Sequence, residues 1–142
     1  MKVQFLCYNF TEDYFKINQY VMKFRAARHT NNLQQVTDFY VNLLGLQVLG
    51  NFKDHAGYDG VFIGQPNAAW HLEFTKSEEV PIHQPDDDDL LVFYPNDEQQ
   101  RSGILARLDQ AGIMSVKAKN PYWNDNGRTF IDPDGFRIVI AG

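Results

Sequence analysis

Apolar residues recur every three or four positions through "NNLQQVTDFYVNLLG", at Leu33, Val36, Phe39, Tyr40, Leu43 and Leu44. That spacing marks one face of a helix. Asn31 or Asn32 can cap its start, and Gly45 can take the left-handed position at its end. Before it, "RAARHT" reads as short and extended. After it the period falls to two, and "LQVLGNF", "GVFIGQ" and "AWHLEFT" read as strands between Gly- and Asp-bearing turns. The order then recurs. "DLLVFY" is a strand, and "NDEQQRSGILARLDQAG" is a helix with Ile104, Leu105 and Leu108 inward and Gly112 ending it. "IMSVKAK", "RTFID" and "FRIVIAG" supply three more strands, and the helix-to-strand corners correspond as "LLGLQVL" and "QAGIMSV". Each half is strand, helix, then three strands. This is an internal duplication of about 50 residues whose two units share one core.

The stretch "SEEVPIHQPDDDD" has two Pro and little apolar content, which places a linker at 79–87 between modules of about 25–78 and 88–142. Residues 1–24 form an N-terminal extension. Its "MKVQFLCYNF" could add an edge strand, or the compact domain could start near Met22. In "DPDG", Pro133 presets the second turn position, Asp132 can bond the backbone ahead and Gly135 tolerates positive φ. A tight hairpin feeding the last strand follows from it.

Composition narrows the class. A chain of 142 residues, 44% hydrophobic and 22% charged, suits one globular domain. A net charge of −5 argues against nucleic acid as a partner. No run approaches the roughly 18 apolar residues of a membrane span, and the N-terminus lacks the apolar core of a signal peptide. Cys7 is the single cysteine, so no internal disulfide can form. A cytoplasmic location is the expectation.

The tandem pattern, with "LQQVTDFYVNLLGLQVL" in one half and "NGRTFIDPDGFRIVI" in the other, resembles the vicinal oxygen chelate superfamily. That group holds glyoxalase I, the extradiol dioxygenases, and the fosfomycin and bleomycin resistance proteins. The likeness runs from about Arg25 to Gly142. It implies an α+β fold in which two tandem βαβββ modules form a curved mixed sheet around an open cavity, helices outside. Metal-dependent members place one ligand on the first strand of each half and one on the last. Those positions fall on Arg25, Glu73, Asp89 (or Asp88) and Val139. Arg25 is cationic and Val139 has no donor, so the inherited set is short of the three protein ligands a divalent ion wants. No cofactor is expected.

Strand alternation puts Arg25, Ala27 and His29 on one face, and His71 with Glu73 on one face. His29 lies about 13 Å from Arg25 along the strand, too far to fill its place. His71 and Glu73, about 6.6 Å apart, could with Asp89 form a shifted metal site. Alternatively Arg25 pairs with Glu73 where a metal would sit, or meets an anionic ligand. Tyr122 and Trp123 follow Pro121 in a loop, where large aromatics line pocket mouths. Phe130 and Phe93 are either core or cavity wall. The ligand-binding candidates are therefore Arg25, His29, His71, Glu73, Tyr122, Trp123 and Phe130, with Glu73 the one weak catalytic candidate. The resemblance implies a small-molecule-binding protein of the bleomycin-resistance type with a degenerate metal site. The alternative is a lyase, isomerase or dioxygenase-like enzyme using His71 and Glu73. A homodimer with an unidentified small ligand is the expected assembly.

Overall fold

A computed structural model describes residues 22–142. The expected edge strand near the N-terminus and Cys7 lie outside the described residues. Strand β1 (Phe24–His29) is followed by helix α1 (Leu33–Thr37), which Asn32 caps by accepting the Gln35 amide. The helix then widens into a π-helical turn, Asp38–Leu43. That wider turn lets the adjacent Phe39 and Tyr40 both face inward, at 3% and 0% exposure. Strands β2 (Gln47–His55), β3 (Tyr58–Gly64) and β4 (Trp70–Lys76) complete a four-stranded sheet in the order β1-β4-β3-β2. The second module supplies β5 (Leu90–Phe93), α2 (Glu98–Gln110), a short α3 (Tyr122–Asp125), β6 (Gly127–Ile131) and β7 (Arg137–Ala141). Its sheet has three strands in the order β5-β7-β6. Gly45 and Gly112 end the two long helical segments with φ of +82° and +73°, so the duplicated corners are built alike. No helix among the described residues is long and apolar enough to cross a membrane.

Two expectations need correction. "IMSVKAK" is not a strand: only Val116 pairs, with Thr129. The reason lies at Ala118, whose N–H donates to Asn124 Oδ1 at 2.9 Å and whose carbonyl accepts Asn124 Nδ2–H at 3.2 Å. One side chain takes both backbone groups the ladder needed. The same bonds fold "PYWND" back as α3, where an irregular loop was expected.

The modules share one core. Val36, Phe39, Tyr40, Ile63, Leu72 and Phe74 from the first pack with Ile104, Leu108, Phe130, Ile138 and Ile140 from the second. A polar lock fastens them further. Asp132, the first residue of "DPDG", has a fully buried side chain that pairs with Arg28 of β1. Its Oδ2 accepts the Tyr40 hydroxyl at 2.6 Å, and its Oδ1 accepts the amides of Asp134 and Phe136, both at 3.0 Å. Arg28 lies between the rings of Phe74 and Phe136, 5.0 and 4.1 Å from their centroids. Thr30 donates to Asp134 at 2.9 Å. The turn is thus the second module's grip on the first.

Burial, and then the Asp132 carboxylate beside it, push the Tyr40 hydroxyl well above its ordinary value. An acid whose folded pKa is raised contributes stability fully present below its unfolded pKa, about 10 for Tyr. That contribution is lost as the pH rises above it, because the unfolded chain ionises first. Urea melts should show stability falling from about pH 10 upward. Tyr40→Phe should flatten that slope while lowering stability at pH 7 by about 1.5–3 kcal/mol, the range for a hydrogen bond to a charged group.

Candidate functional site

The face of the first sheet turned away from the core carries the polar residues that alternation placed there. β1 pairs in parallel with β4, setting Arg25 against His71 and Ala27 against Glu73. β3 runs antiparallel to β4 and sets Phe62 against Glu73. Because Leu72 and Phe74 are buried in the core, His71 and Glu73 project to the opposite side.

Arg25 joins these groups. Its Nη1–H donates to Glu73 Oε2 at 2.9 Å, and its Nε–H donates to His71 Nε2 at 3.1 Å. An imidazole nitrogen that accepts from a guanidinium carries no hydrogen, so the His71 proton sits on Nδ1. The Glu73 side chain is 11% exposed and that of Arg25 is 51% exposed. The pair is therefore anchored at its anion and open at its cation. The guanidinium covers the Phe62 ring at 5.1 Å, and the His71 ring meets the same ring edge-on at 5.5 Å. Phe52 lies 5.8 Å from Phe62. A Cβ on Gly60 would fall 2.3 Å from the Phe52 ring, so that ring rests on the bare glycine backbone. The result is a platform of two aromatic rings carrying a planar cation. Three guanidinium N–H groups have no partner among the described residues.

The arrangement does not fit a metal. Its cation already engages the Glu73 oxygen and the His71 nitrogen that would ligate. Val139 is wholly buried and offers no donor. Asp89 turns its Oδ2 back onto the Asp86 amide at 3.1 Å, closing its own loop. Among the described residues no three His, Cys, Asp or Glu side chains converge to hold an ion.

The other candidates lie apart. His29 sits at the far end of β1, where its Nε2 faces the Ser77 amide at 3.3 Å and the Ser77 hydroxyl at 3.1 Å. Phe130 is 1% exposed within the shared core and has no surface to give a ligand. Tyr122 and Trp123 lie on α3 with rings 4.9 Å apart, and Trp123 stands edge-on to Tyr94 at 6.5 Å. They belong to the second module, away from Arg25. Phe52 and Phe62 were missed by sequence reasoning. The signal was present in "GVFIGQ", since alternation opposite buried Val61 and Ile63 puts Phe62 on the Glu73 face.

The YycE-like N-terminal domain family matches residues 24–75, and the YycE-like C-terminal domain family matches residues 88–142. The uncharacterised protein YycE of Bacillus subtilis (strain 168) is 43% identical over 119 residues, covering 82% of this chain and 84% of the relative. The crystal structure of YycE from Bacillus subtilis superposes with a TM-score of 0.75 at 41% identity, covering 85% of this chain and 89% of that one. The trypanothione-dependent glyoxalase I of Leishmania major gives 0.65 at 19% identity over 83% and 84% of the two chains. TnmS3, an antibiotic binding protein from Streptomyces sp. CB03234, gives 0.59 at 21% identity over 82% and 91%. At such identities the last two speak for the fold alone.

Proposed function

This chain belongs to the YycE-like family, which has the vicinal oxygen chelate fold, and from that premise we propose that it is a metal-free small-molecule-binding protein. One observation carries the reading: the Arg25 guanidinium, at a position where the resemblance implies a metal ligand, is bonded to both His71 and Glu73. A guanidinium held on aromatic rings offers a charged, planar donor to a bound molecule. Phe62 and Phe52, inclined at 44°, give an apolar surface beside the guanidinium, and the free N–H groups of Arg25 can donate to a carbonyl or carboxylate. TnmS3 has this fold and binds an antibiotic, so the architecture is compatible with such use. The reading calls for no acid–base step, since the Glu73 oxygen and the His71 nitrogen are committed to Arg25.

A thermal-shift screen of aromatic carboxylates and ketones on the full chain should find stabilising compounds. For any hit, Phe62→Ala should weaken binding about tenfold, because ring stacking and burial are lost together. Melting without ligand should change little, as Phe62 is half-buried on the open side. Hits whose affinity ignores Phe62→Ala would remove the ligand from this face.

A further inference from the structure

Strands β1 and β5 end their sheets among the described residues, and residues of both line one cavity with no ladder between them. The cavity has a volume of about 420 Å³, with Ile104 of α2 and Leu44 after α1 in its wall. It is bounded by Phe24, Trp70, Phe93 and Tyr94, and of the open-face residues it includes His71 but neither Arg25 nor Glu73. We infer that this cavity is a second ligand site, for an uncharged, planar ring system bearing a carbonyl group. The cavity shares His71 with the open face, where that side chain is bonded to Arg25.

Its size falls in the range of pockets that enclose a drug-sized molecule. Its walls carry the Trp70 and Phe93 rings, a tilted pair in mutual contact with centroids 6.3 Å apart at 58°, so an occupant would lie against the pair and not between its rings. Trp70 and Phe93 pack against the core and are only partly buried, and Phe24 and Tyr94 are 65% and 73% exposed. Aromatic surface left wet on the inside of a concavity favours a flat apolar occupant. Charge sets the class. No Lys, Arg, Asp or Glu is among the residues lining the cavity. An ion would enter without a counter-charge and lose its hydration. Besides His71 and the Tyr94 hydroxyl, the polar side chains in the lining are the amides of Gln65, Asn96 and Gln100, and the last of these is oriented. Gln100 Oε1 accepts the Asn96 backbone N–H at 2.7 Å, which fixes which end of that amide is oxygen. Its Nε2 hydrogens then have no partner among the described residues. They are the donor that a carbonyl on the occupant would meet.

The test is a fluorescence titration of the full chain with Nile red, a neutral fused-ring ketone whose emission shifts to the blue in apolar surroundings. Saturable, blue-shifted binding is expected, with a dissociation constant on the order of micromolar. Phe24→Ala and Gln100→Ala alter exposed side chains and should leave the melting temperature in place. Each should weaken the dye roughly three- to tenfold. No saturable blue-shifted emission, or binding indifferent to both substitutions, would overturn the assignment. A titration that responds to Phe62→Ala instead would place the dye on the open face and overturn it equally.

Discussion

Asp132→Ala should destabilise the chain by about 3–5 kcal/mol, the range for removing one partner of a buried ion pair. The Asp132 side chain is wholly buried, and that of Arg28 is 15% exposed. Without the carboxylate, Arg28 stays between Phe74 and Phe136, and Tyr40 keeps a buried hydroxyl with no acceptor. The amides of Asp134 and Phe136 also lose the oxygen that shapes the turn. All of these bonds except the two in the turn cross from one module to the other. The melting temperature should fall by roughly 10 °C or more. Asp132→Asn keeps the shape without the charge and should recover part of the loss. A melting curve for Asp132→Ala like that of the unaltered chain would mean that the apolar core alone joins the modules.

The second large effect is a gain. Arg25→His removes the cation and puts a neutral donor across the strand pair from His71 and beside Glu73. Three ligands would then share one face, the number catalytic zinc sites use. Zinc should go from no saturable binding to a dissociation constant of about micromolar or tighter. Isothermal titration with zinc chloride reads this directly, and Glu73→Ala in the same background should abolish it. If Arg25→His takes up no zinc, the guanidinium is not what keeps metal from this face.

Periodicity made most of the fold legible. Helix spacing in "LQQVTDFYVNLLG" and alternation in "GVFIGQ" and "AWHLEFT" reflect which side chains leave water, and burial dominates both. Where side chains compete with the backbone the pattern misled. Asn124 stops a strand at Ala118, and no periodicity encodes that. The expected α+β fold of two tandem modules is present as a four-stranded and a three-stranded sheet, and no described ladder joins β1 to β5. Edge pairing is set by tertiary approach, which alternation does not report. In the site, the Arg25–Glu73 pair was legible because opposite charges fell on one face two positions apart in the register. For the aromatic floor beneath it, alternation in "GVFIGQ" put Phe62 opposite Val61 and Ile63 but left open which of the two sets faces the core. Asp132 looked like a turn former and is also the buried anion of the interface. A turn motif specifies local geometry and is silent about what its side chain meets across the fold.

The central claim is that a guanidinium has taken the place of a metal in this fold. Elemental analysis of the untagged chain, purified without chelator, tests it most directly. The expected result is far less than one zinc, nickel, manganese or iron ion per chain, unchanged by Glu73→Ala. One tightly held ion per chain, lost on Glu73→Ala, would contradict it.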